Sequence, residues 1–154
     1  MTRLSWLGTA LLLTVGCGSK ESIALSAIVR NVDLAVEQKT LGTALTGSFE
    51  LQLELGAEAS GSTQVSIEAF ALVRGADTLV SPLAATPVGA TFPVSLGKGQ
   101  KKTIAFQVGD ANLLEPSVKD ALCAGALRLR GAVSDTLANE KTPLQSADVT
   151  LSGC

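Results

Sequence analysis

Between Phe49 and Leu55 the chain sets Phe49, Leu51, Leu53 and Leu55 against Glu50, Gln52 and Glu54. An extended backbone turns successive side chains to opposite faces, so this stretch has one apolar face and one wet one. Such a half-buried antiparallel strand needs a second layer to cover its apolar side. The same period of two recurs along most of the chain. Ile23, Leu25, Ala27 and Val29 alternate, and Val32, Leu34 and Val36 continue on the opposite parity. That switch requires a bulge or bend near Arg30 and Asn31. From Gln64 to Val73, Val65 and Ile67 alternate with Ser66 and Glu68, and from Phe70 onward the run is apolar on both sides. One strand is expected there, its second half covered on both faces.

The stretch Arg74 to Asp77 supplies a turn into Thr78–Val80, and Ser81 to Ala90, with Pro82 and Pro87, reads as a loop. Phe92, Val94 and Leu96 predict a further strand, and Gly97 to Lys102 a hairpin tip returning it into Ile104, Phe106 and Val108. Leu127, Leu129 and Val133, then Ala147, Val149 and Leu151, predict the last strands. The rhythm breaks once, where Leu114, Val118 and Leu122 fall at helical spacing. Asn112 and Glu115 are placed for a capping box, Pro116 for the first turn and Gly125 for the end of a helix of about three turns. The expected architecture is mostly β: an antiparallel, immunoglobulin-like Greek-key sandwich of 7–8 strands with one short crossing helix.

What the composition lacks narrows function. There is no His and no Tyr, and Trp6 is the only Trp. Beyond residue 16 the aromatics are Phe49, Phe70, Phe92 and Phe106, all at expected core positions. No ring is left over as a stacking platform for carbohydrate or single-stranded nucleic acid. The whole chain holds 12 basic and 14 acidic side chains, so no basic field is present to attract nucleic acid.

The start of the chain has its own logic. Met1 to Gly16 carries a single charge, at Arg3, and an apolar stretch from Leu4 to Val15. Twelve residues as helix reach roughly 18 Å, short of the ~30 Å hydrocarbon core, which is the layout of a secretory signal. Leu13-Thr14-Val15-Gly16-Cys17 resembles a bacterial lipoprotein signal, in which a cysteine after small residues is lipidated and becomes the mature N-terminus. The resemblance implies residues 1–16 as signal peptide, Cys17 as the lipidation site, 17–22 as a tether and 23–154 as the sandwich domain. It also implies a diacylglyceryl group, often with a further acyl chain such as palmitate, and more than one chain is what stable residence on a membrane requires. Gly18 after Cys17, in place of Asp, favours the outer membrane facing the periplasm. An ordinary cleaved signal and a buried first strand are the other readings of this segment.

Cys123 and Cys154 are the remaining thiols, and export would place them in an oxidising compartment where they can form a disulfide. Closing a loop of about 32 residues is worth roughly 3–4 kcal/mol in the chain-entropy model. Two free buried thiols are the other reading. A metal or nucleophilic role for either has no His partner to support it.

Ser95 and Lys98 have the spacing of a Ser-Lys acylation pair, but they straddle a strand end and a turn where that chemistry needs a helix start. Lys98, Lys101 and Lys102 read as a solvated turn, or as a contact to phospholipid headgroups or an acidic partner. Asp110, Glu115 and Asp120 read as cap and dipole residues of the helix, and Asp110 with its neighbours lacks the dense oxygen run of a calcium site. No metal, cofactor or catalytic residue is assigned.

The order of Val29–Gln38, Leu45–Leu55, Val65–Leu79, Ile104–Val108, the helical Leu113–Leu122 and Gly125–Val133 resembles the water-stress and hypersensitive-response (WHy) domain of late-embryogenesis-abundant proteins. The resemblance implies a Greek-key sandwich with a short helix before a strand that ends in Gly, here Gly131. It implies a non-enzymatic module of stress protection or interaction. The expected function is therefore a membrane-tethered, non-catalytic lipoprotein with a protein partner of unknown identity. The alternative is a carrier of a small apolar or lipid ligand between the sheets, which would need an unfilled cavity lined by Leu53, Ile67 and Phe106.

Overall fold

A computed structural model describes residues 25–109 and 111–154. The expected signal peptide and tether, Cys17, Ile23 and Asp110 lie outside the described residues. The chain is mostly β, in two antiparallel sheets, with one helix among the described residues. The first sheet places β1 (Leu25–Lys39), β2 (Gly42–Leu55), β8 (Lys101–Val108) and β6 (Ala85–Val88) side by side. The second is built around β9 (Arg128–Asp135), with β10 (Lys141–Gln145) on one edge. On its other edge β3 (Thr63–Ile67) and β4 (Phe70–Arg74) lie end to end. Outside these, β7 (Val94–Leu96) pairs with β3, and β5 (Asp77–Leu83) with β4.

The alternating residues meet between the layers as expected. Phe49, Leu51, Leu53 and Leu55 of β2 are almost fully buried, and the register shifts between Arg30 and Asp33, where Asn31 has φ 50°. That irregularity re-aims β1 so that Val29 before it and Leu34 and Val36 after it all reach the core. Phe49 and Phe106 of the first sheet stack with centroids 4.9 Å apart, and Phe70 of the second meets both edge-on at 4.8 and 5.3 Å. Phe92 lies half-buried at 6.0 Å from Phe106. Each large side chain so buried contributes about 1.5–3 kcal/mol.

Several expectations are corrected. Ten strands are named among the described residues, not seven or eight. The run from Gln64 to Val73 is interrupted at Glu68 and Ala69. Ile67 pairs with Val133 and Ala71 with Arg130, so four residues on one side advance against three on the other. This bulge lets Glu68 donate its N–H to Ala132 and brings Phe70 over Gly131, which stands inside β9 and does not end it. The stretch read as a loop after Ser81 carries the end of β5 and all of β6, because sheet-edge positions tolerate Pro82 and Pro87. The strand expected from Phe92 begins at Val94.

Gly97 to Lys102 is not a hairpin tip. β7 belongs to the second sheet and β8 to the first, where Lys101–Val108 pairs with β2. The turn crosses between layers, with Leu55 N–H donating to Gln100 and Gly99 N–H to Gly56. The last strand is β10, earlier than Ala147–Leu151. Val149 instead makes an isolated bridge to Leu127, and Leu151 inserts into the core.

The helix, α1 (Pro116–Cys123), has eight residues, about two turns. The capping box does not form: Glu115 sits at the N-cap without a side-chain cap bond, and Pro116 starts the helix. Asn112 is three residues too early, and its buried carboxamide pairs with the N–H and C=O of Ala84, acting as a peptide group would. The other end is closed by Arg74 from β4, whose guanidinium donates to the carbonyls of Leu122, Gly125 and Ala126.

Candidate interaction surface

β1 gives the molecule two ends. Fifteen residues at about 3.3 Å each separate Leu25, where the described chain begins, from the turn at Thr40 and Leu41 by at most roughly 50 Å. At the Leu25 end, Leu25 pairs with Leu55, and the Gly97–Gln100 turn lies against Leu55 and Gly56. Lys98, Lys101 and Lys102 are all exposed there. Lys101 forms an ion pair with Glu54 across the β2–β8 ladder at 3.1 Å. The three lysines are thus gathered at one end, with Lys101 partly offset by a carboxylate.

The other half of β1 carries a polar groove. Past the bulge, Asp33, Ala35, Glu37 and Lys39 face away from the core, and Thr46 and Ser48 of β2 and Gln107 of β8 continue that face. Ser152 walls the groove beside Ala35, and its volume is about 470 Å³. Gln107 donates to the carbonyl of Gly47 at 2.8 Å, which fixes the floor. Lys39 lies 2.6 Å from the Glu37 carboxylate. A hydrogen bond from Lys39, then one from the Thr46 hydroxyl, then the charge of Lys39, hold the Glu37 carboxyl below its ordinary value. The groove therefore offers carboxylates, an ammonium, hydroxyls and a carboxamide, a set suited to hydrogen-bonding a polar surface or an extended backbone. Next to it, Leu41 is 86% exposed and Leu113 56%. Together they line an apolar notch of about 280 Å³ with Lys39 and Thr40.

Leu53 and Phe106, expected to line a ligand cavity, are buried in the shared core, and Ile67 packs at its margin. Ser95 lies in β7, where its hydroxyl oxygen accepts from Gln64 at 2.7 Å, with Lys98 in the following turn. Cys123 and Cys154 are joined as a disulfide, Cα atoms 5.5 Å apart. Among the described residues, no cluster of three or more His, Cys, Asp or Glu side chains could hold a metal ion, and no helix is long and apolar enough to cross a membrane.

The sequence reading missed the groove. Its polar residues are visible at alternate positions, but only the bulge at Arg30–Asp33 and the pairing with β8 make them one concave face. No protein-family model, curated protein or solved structure matches the chain.

Proposed function

We propose that this protein is a membrane-tethered, non-catalytic lipoprotein that acts as an interaction or stress-protective module. The observation that carries the reading is the polarity of β1. The chain arrives from Cys17 at the end that bears Lys98, Lys101 and Lys102, and the polar groove and Leu41 lie on the far half. A lipid at Cys17 in the outer membrane would hold the lysine end against anionic headgroups and turn the groove toward a partner.

Strand order supports an immunoglobulin-like Greek key. The first sheet runs β1-β2-β8-β6 and the second β5-β4-β9-β3-β7 with β10 on β9, so the chain crosses repeatedly between layers and neighbours in each sheet are often not consecutive in the chain. A helix leading into β9 supports the WHy resemblance, while Gly131, inside β9, departs from it. The aromatic cluster of Phe49, Phe70 and Phe106 fills the space between the sheets that a carrier would need for its ligand.

Two measurements test the proposal in cells. The mass of the N-terminal peptide should show acylation at Cys17, and Cys17→Ser should release the protein from membranes. Photo-crosslinkers at Glu37 or Leu41 should capture a protein that crosslinkers at Gln52 do not. An unacylated N-terminus would remove the tether, and equal capture at both positions would remove the groove from the reading.

A further inference from the structure

The edge strands of this sandwich are treated unequally. β5, β6 and β10 contain Pro82, Pro87 and Pro143, and Pro93 directly precedes β7, so these edges are poor templates for another strand. β1 is the longest strand and contains no proline. Among the described residues, its outer edge exchanges backbone hydrogen bonds with the strip Leu151–Cys154. Val36 N–H donates to Ser152 at 2.8 Å, and Ser152 N–H donates to Leu34 at 3.1 Å. Leu151 is buried in the core. Gly153, at φ 75°, lies so close that a Cβ would stand 2.1 Å from the Val36 carbonyl oxygen. Cys154 ties the strip to the last residue of α1.

We infer that the Cys123–Cys154 bond is a redox latch that holds this strip on the β1 edge and over the groove. Four residues joined by two backbone bonds and one buried Leu gain little beyond the entropy lost in ordering them, so closure depends on the covalent link. Cys154 is exposed and Cys123 half-buried, so a reducing dithiol reaches the Cys154 sulfur. Its thiolate attacks there and Cys123 leaves as a thiolate. The second thiol then displaces Cys154, so two electrons pass to the protein and the dithiol becomes an intramolecular disulfide. The strip leaves, freeing the Val36 N–H and the Leu34 carbonyl and opening the groove wall at Ser152. The latch needs only the sandwich and the two sulfurs, not the tether.

Amide hydrogen exchange on the full chain, with and without dithiothreitol, tests this. Reduction should speed exchange at Val36 and Ser152 by about 100-fold while Leu51 in β2 stays protected, and reoxidation should restore it. Cys154→Ser should show the reduced pattern without any reductant. Unchanged protection at Val36 in both would overturn the latch, and so would equal acceleration at Val36 and Leu51, which means global unfolding and not local release.

Discussion

Gly131→Ala tests the contact within the second sheet that sets the Phe70 ring against the first. A Cβ at Gly131 would stand 2.8 Å from Cδ1 and 3.1 Å from Cε1 of Phe70, so the ring must move. It has little room, being 3% exposed and edge-on to Phe49 at 4.8 Å and Phe106 at 5.3 Å. Forcing a methyl into such a core costs about 1–3 kcal/mol, and Ala in place of Gly within a strand returns about 0.5–1. The net loss should be roughly 1–2 kcal/mol, read as a lower urea midpoint with the disulfide intact. The specific claim lies in a double-mutant cycle with Phe70→Leu, which removes the ring edge. In that background Gly131→Ala should become neutral or mildly stabilising, giving a coupling of about 1–2 kcal/mol. An equal penalty in both backgrounds would refute the clash and mean that Gly131 is needed for its backbone alone.

The remaining predictions concern polar groups. Arg74→Ala should lower stability by about 1–2 kcal/mol by thermal unfolding, since three carbonyls at the end of α1 lose a charged donor, and Arg74→Lys should recover little because an ammonium cannot span them. Asp135→Ala should cost about 2–4 kcal/mol in urea, because the buried carboxylate accepts from the N–H groups of Leu137 and Ala138 and from the Thr63 hydroxyl, whereas Asp135→Asn keeps an acceptor and should cost less. Glu37, its carboxyl held below the ordinary 4.5 by the Lys39 hydrogen bond first, adds stability that is full above that value and lost as pH falls through the lowered one. The stability gap between the parent and Glu37→Gln should therefore close on acidification, and shrink in high salt because the pair is exposed.

The local alternation was legible in the residues of both layers. The parity of β2, the switch of parity that demands a bulge before Asp33, the buried Phe49, Phe70 and Phe106 and the turn at Gly75 follow from local alternation and turn chemistry. Asn112 misled because its spacing to Glu115 fits a capping box, while its carboxamide is needed 28 residues away at Ala84. Gly97–Lys102 misled for a related reason. Two alternating strands around a short glycine turn look like a hairpin, and nothing in either strand says that β8 pairs with β2.

By itself the sequence determined that side chains would sort by alternate position into sheets with one dry face, and that Cys123 and Cys154 are the two thiols beyond Cys17. Only the tertiary structure decided which strands are neighbours, that the polar residues of β1, β2 and β8 form one groove, and that Leu151–Cys154 closes the β1 edge. The reason is that alternation is written in side chains along one strand, whereas pairing is made by backbone N–H and C=O groups that are the same at nearly every residue.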